Sequence, residues 1–176
     1  MTNPAQEILI IGLGLIGSSL AKAAKNKGLV VHGYDLDQTS LTQALDNKII
    51  DKAIESIDEI NNKELIGKID LIIVAVSPRA TQSVISSLKN LWNTDISITE
   101  TSSVKNHLNF DSPNNLVLSH PIAGSDKSGI SGLDEDLFTE TLSNSSLKEV
   151  IGIIITKKNK HTDRIDILQI FYNYTV

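Results

Sequence analysis

The stretch "ILIIGLGLIGSSLAKA", residues 8–23, restricts the fold more than any other part of the chain. An unbroken apolar run meets Gly12, Gly14 and Gly17 and passes directly into a helical pattern of small and apolar residues. That order reads as strand, tight turn, helix. Gly12 permits the turn, Gly14 lets backbone come close to a pyrophosphate, and Gly17 lets the helix pack tightly against the strand. The start of the helix offers backbone amides and the positive end of a dipole to phosphate, so Leu13, Leu15 and Ile16 join the three glycines as expected cofactor-binding residues. Glycine spacing alone is a weak signal, and a turn that serves packing only is the competing reading. The context strengthens it: Asp35 ends the next apolar run, eighteen residues after Gly17. An acid there meets a ribose 2′-hydroxyl and repels a 2′-phosphate, and no Arg follows in "DLDQTS". The expected cofactor is therefore NAD rather than NADP.

Further apolar runs occupy 29–35, 70–76, 96–99, 115–120 and 150–156, each short and rich in Ile, Val and Leu. Such runs read as strands covered on both faces. Helical patterns over 15–27, 39–47 and 79–92 lie between them; 49–69 reads as a short strand plus a polar helix or loop. The alternation predicts an α/β fold, a doubly wound, mainly parallel sheet of Rossmann-like type, as one domain over 1–176. At 176 residues and 40% hydrophobic, the chain can bury the core this needs. A net charge of -5 argues against nucleic acid or an anionic membrane as the main partner. The N-terminal stretch resembles neither a signal peptide nor a membrane span. With no cysteine, thiolate chemistry and disulfides are excluded, no metal site is expected, and the chain is consistent with a cytoplasmic protein. A last helical pattern over 161–174 carries Ile165, Leu168 and Phe171 on one face, a patch expected to promote self-association.

Ligands of open α/β sheets bind at the carboxyl ends of strands, and the chain places polar residues there. Ser77 and Pro78 follow the run at 70–76; either they contact cofactor or Pro78 simply starts a helix. Arg79 reads as a solvated cation of the helix start. His120 is the one of the four histidines at the tip of an apolar strand, and Pro121 fixes the backbone after it. Removing hydride from a carbinol carbon requires a base for the hydroxyl proton, and a neutral imidazole suits that role near neutral pH. A hydrogen-bonded structural histidine is the alternative. His32 lies within the second strand, and His107 and His161 lie in polar surroundings.

"GLGLIGSSLAKA", "VSPRATQSV", "ITETSSVK" and above all "SHPIAGSDKSG" resemble, in order, the prephenate/arogenate dehydrogenase family across most of 7–138. The resemblance implies NAD-dependent oxidative decarboxylation of prephenate to 4-hydroxyphenylpyruvate in tyrosine synthesis. It implies His120 as the catalytic base, Ser103 as the serine that hydrogen-bonds both that histidine and the substrate hydroxyl, and Ser125, Asp126 and Lys127 at the mouth of the substrate pocket; Lys105 matches a family lysine without an assigned role. Glu100 stands where the family usually has Asp, and Ser102 where it usually has Gly. Family members also carry a mainly helical C-terminal domain that forms a homodimer and supplies an arginine to the substrate. That domain is not in this sequence, which is expected to be incomplete at its C-terminal end and weakly active or inactive by itself. Action on arogenate, or a non-catalytic NAD-binding module, are the alternatives.

Overall fold

The computed structural model describes residues 7–61, 63–92, 94–103 and 115–119. The predicted strand at 150–156, the predicted helix at 161–174, and Lys105, His107 and His161 lie outside the described residues. Strand β1 (Glu7–Ile11) leads into helix α1 (Leu15–Asn26), followed by β2 (Val30–Tyr34), α2 (Gln38–Asp46) and the short β3 (Lys52–Ala53). A 3-10 turn (Ile57–Asn61) and helix α3 (Lys63–Ile66) return the chain to β4 (Leu71–Val74). Helix α4 (Pro78–Ser87), a second 3-10 turn (Lys89–Leu91), β5 (Ser97–Glu100) and β6 (Leu116–Leu118) complete the described elements.

The six strands form one sheet in the order β3-β2-β1-β4-β5-β6, and each neighbouring pair is parallel. The continuous apolar runs have a direct explanation in this sheet. Ile8 and Ile10 of β1, with Leu71 and Ile73 of β4, enter a core with Ala21 and Ala24 of α1 and Leu41 and Ala44 of α2. The alternate residues Leu9, Ile11, Ile72 and Val74 enter a second core with Ile60, Ile85, Leu88 and Leu91. Successive side chains of a strand point to opposite faces, so a sheet with helices on both faces needs apolar residues at every position. Fully burying one such side chain stabilises the fold by roughly 1.5–3 kcal/mol.

The predicted helix at 79–92 is divided. It starts one residue earlier, with Pro78 in the first turn, and gives way at Leu88 to the 3-10 turn. Ser87 donates its hydroxyl to the Val84 carbonyl at 2.7 Å, an acceptor bond that competes with helix continuation. The apolar stripe survives the break, because Leu88 and Leu91 remain in the same core. The ambiguous segment 49–69 contains a short strand, a 3-10 turn and a short helix.

Candidate functional site

Because every strand is parallel to its neighbours, the carboxyl ends of β1, β2, β4, β5 and β6 share one edge of the sheet. The chain crosses from β3 to β4 past β2 and β1, so the strand order reverses between β1 and β4. In open α/β sheets the ligand crevice opens at that reversal.

The glycine loop sits there. Gly12 has φ +94°, and its amide donates to the Tyr34 carbonyl of β2 at 2.8 Å. A Cβ at Gly12 would stand 2.6 Å from the Ala75 carbonyl oxygen, just past β4, and one at Gly17 would stand 1.8 Å from the Gly12 carbonyl oxygen. Gly12 and Gly17 thus make distinct contacts: loop against the neighbouring strand end, and helix against the loop that leaves the strand. Gly14 differs. Nothing lies within 4 Å of the position its Cβ would take. Gly14 is the N-cap of α1; no side chain caps the helix and its first turn holds no acid. Leu15, Ile16 and Gly17 therefore present the positive end of a 12-residue helix to the space beside Gly14.

Asp35 follows β2. Its Oδ2 accepts the Leu13 amide at 2.6 Å and its Oδ1 accepts the Asp37 amide at 2.9 Å. Leu36, between the two acids, is 85% exposed. Asp37 caps α2 by accepting the Thr39 amide at 3.0 Å and the Ser40 hydroxyl at 2.8 Å. The Ser40 hydroxyl and then the Thr39 amide hold the Asp37 carboxyl below its ordinary range. An open space beside Gly14, an uncapped helix start and a carboxylate beside the loop together fit a diphosphate and an adjacent ribose, so the residues present suit a dinucleotide.

At the tip of β4, Ser77 is exposed and makes no side-chain cap bond, while Pro78 occupies the first turn of α4. Pro78 as helix starter is thus observed, and Arg79 is exposed. At the tip of β5, Glu100 is fully buried and its Oε2 accepts the Ser102 amide at 2.9 Å. That bond shapes the turn leading to Ser103, which is exposed. The neighbouring tip of β6 is tied to the same residue: the Ser119 amide and hydroxyl donate to the Glu100 carbonyl at 3.0 and 2.8 Å. The Thr99 and Ser119 hydroxyls lie 3.0 Å apart. The structure therefore brings Ser103 and Ser119 to adjacent strand ends. His120, Ser125, Asp126 and Lys127 lie outside the described residues.

Sequence reasoning missed Thr99 and Ser119 and treated Glu100 only as a departure from a family pattern. The signal was available in part, since Thr99 is a polar residue in a strand otherwise read as buried. His32 is fully buried and its Nε2 lies 2.8 Å from Glu7 Oε2. It lines a cleft of about 240 Å³ with Lys52, Glu59, Glu64, Leu65 and Lys68. None of the predicted site residues lines that cleft. The uncapped helix start, Ser77 and Ser103 lie instead at the strand tips.

The family described as prephenate dehydrogenase, nucleotide-binding domain, matches residues 20–143. The chain belongs to this family. The match begins inside α1, so the glycine loop of this prephenate dehydrogenase relative rests on its own geometry. Among its relatives, a cyclohexadienyl dehydrogenase from Zymomonas mobilis is 30% identical over 142 residues, 77% of this chain and 47% of the relative. A prephenate dehydrogenase from Lactococcus lactis is 32% identical over 143 residues, 76% of this chain and 38% of the relative. The chain thus spans less than half the length of both. The crystal structure of prephenate dehydrogenase from A. aeolicus in complex with hydroxyphenyl propionate and NAD+ superposes with a TM-score of 0.68 at 28% identity, covering 78% of this chain and 49% of that one. Among the described residues no helix is long and apolar enough to cross a membrane.

Proposed function

We propose that this chain is the NAD-binding part of a dehydrogenase that oxidatively decarboxylates prephenate to 4-hydroxyphenylpyruvate in tyrosine biosynthesis. One observation carries the reading: the glycine loop with its uncapped helix start and Asp35 lies at the reversal of strand order, on the edge that also carries Ser103. The A. aeolicus relative, solved with NAD+, shares this fold over most of the chain.

In this reading Gly12, Leu13, Gly14, Leu15, Ile16 and Gly17 hold the diphosphate, Asp35 takes the ribose hydroxyls, and Ser77 and Pro78 border the nicotinamide end. NAD supplies a hydride acceptor when bound. His120, one residue beyond the Ser119 clamp, draws the proton from the substrate hydroxyl, and Ser103 orients that hydroxyl. Loss of carbon dioxide leaves an aromatic ring, so the step is downhill and the residues chiefly supply orientation and a base. Ser125, Asp126 and Lys127 line the entrance for the substrate. Charged partners for its two carboxylates come in part from the helical domain of the whole protein, whose homodimer completes the enzyme.

The test is an assay of NADH formation with prephenate and, in parallel, arogenate, because the relatives carry more than one substrate name. In a chain extended by the helical domain, the account predicts turnover of one of these acids and a loss of about 10²–10⁴-fold in His120→Asn, the usual contribution of a positioned general base. An equally active His120→Asn variant contradicts the base assignment. The 176-residue chain alone is expected to bind NAD with little turnover.

A further inference from the structure

An acid at the end of the second strand is expected to read the ribose, but here its carboxylate is already engaged by the protein. Leu13 is fully buried, and its amide points at β2, where Asp35 Oδ2 receives it at 2.6 Å. The second oxygen receives the Asp37 amide at 2.9 Å, an exposed bond. A carboxylate offers about four acceptor positions, so two remain for ribose hydroxyls. The Leu13 amide has no access to water at this site, and without an acceptor it would be a buried, unsatisfied donor. The loop would have to move to relieve it, and Gly14 with the first turn of α1 would move with it.

We propose that Asp35 is a positioning residue for the glycine loop as well as the determinant of ribose specificity, so that cofactor preference and loop shape depend on one side chain. The specificity half of this inference rests on the dinucleotide reading; the positioning half does not. One consequence is that removing the Asp35 charge is not enough to admit NADP. Asp35→Ala takes away repulsion of a 2′-phosphate and also takes away the Leu13 acceptor. Asp35→Asn removes the same charge but keeps one carbonyl oxygen for Leu13, leaving the exposed Asp37 amide to water.

The test begins without ligand, by amide hydrogen exchange of the wild-type chain, Asp35→Ala and Asp35→Asn, with Ile10 in the buried β1 as internal reference. Asp35→Ala is expected to raise Leu13 exchange at least about tenfold relative to Ile10, the effect of losing a hydrogen bond to a charged group. Asp35→Asn is expected to stay within about threefold of wild type, a difference of under about 0.7 kcal/mol. Global unfolding would move Leu13 and Ile10 together, so the ratio isolates the loop. Titrations with NAD and NADP follow. Asp35→Ala is expected to bind both at least about tenfold more weakly than wild type binds NAD, whereas Asp35→Asn narrows the preference for NAD. Leu13 exchange within twofold of wild type in Asp35→Ala, or an Asp35→Ala chain that binds NADP better than Asp35→Asn does, overturns the proposal. If the wild-type chain binds neither dinucleotide yet Leu13 responds as expected, the positioning role stands and the cofactor reading falls.

Discussion

Gly14 caps α1 and Gly17 lies three residues on in its first turn, yet a methyl group should affect them in opposite ways. At Gly17 the new Cβ meets a backbone oxygen at 1.8 Å, so Gly17→Ala forces α1 away from the loop. A cost of about 1–3 kcal/mol is expected, as for other overpacked sites, together with loss of NAD binding. At Gly14 the Cβ enters open space. Gly14→Ala should melt within a degree or two of wild type while binding NAD at least about tenfold more weakly, because the methyl fills the space intended for phosphate. Thermal melts and NAD titrations of the two variants check this, and equal NAD affinity in Gly14→Ala would remove the phosphate from that space. The glycines and Asp35 were legible because local spacing encodes them. The bond from Leu13 to Asp35 was not, since it depends on how a turn and a strand end meet across 22 residues. Nor was the Ser119 clamp on Glu100, which requires knowing that β5 and β6 are neighbours.

At the scale of elements, apolar runs without alternation identified β1, β2, β4, β5 and β6, with ends that differ by one or two residues. Ile10 of β1 is fully buried in the core beneath α1 and α2. Ile10→Ala is expected to cost about 2–5 kcal/mol in a denaturant titration, through lost burial and the cavity left behind. The edge of the sheet is held differently, by Asp51 before β3. Its Oδ1 lies 2.6 Å from Lys25 Nζ of α1, and its Oδ2 accepts the Val31 amide of β2 at 2.9 Å. Burial raises the Asp51 pKa, but the Lys25 and Val31 hydrogen bonds, with the Lys25 charge, outweigh it and leave the carboxyl below its ordinary range. A lowered folded-state pKa contributes stability that is present above the unfolded pKa, about 4, and is lost as pH falls through the folded value. Stability should therefore fall on acidification below about pH 4, with a shallower slope in Asp51→Asn; an unchanged slope would show that the pairing is not maintained in solution. Periodicity gave no hint of this link, because Lys25 and Asp51 lie far apart in sequence and exposed side chains leave no pattern.

For the whole molecule, composition and the strand–helix alternation implied a doubly wound sheet, while the strand order required long-range pairing that no local pattern contains. That order gathers the glycine loop, Asp35, Ser77, Ser103 and Ser119 along one edge of the sheet. Binding there should stabilise the fold: at NAD one hundred times its Kd the gain is about 2.7 kcal/mol, a rise in Tm of about 5–10 °C for a chain of this size. A scan with and without NAD measures it, and an unchanged Tm at saturating NAD would contradict binding to the folded state. The central claim is that NAD occupies this edge of the sheet and no other part of the molecule. Titrating NAD into the isotopically labelled chain and following its backbone amide resonances tests that claim most directly. The account predicts saturable shifts at 12–17, 35–37 and 75–78, with His32, Lys52 and Lys68 unmoved. Shifts centred on the cleft at His32 and Lys52, or no saturable shift at the glycine loop, would contradict it.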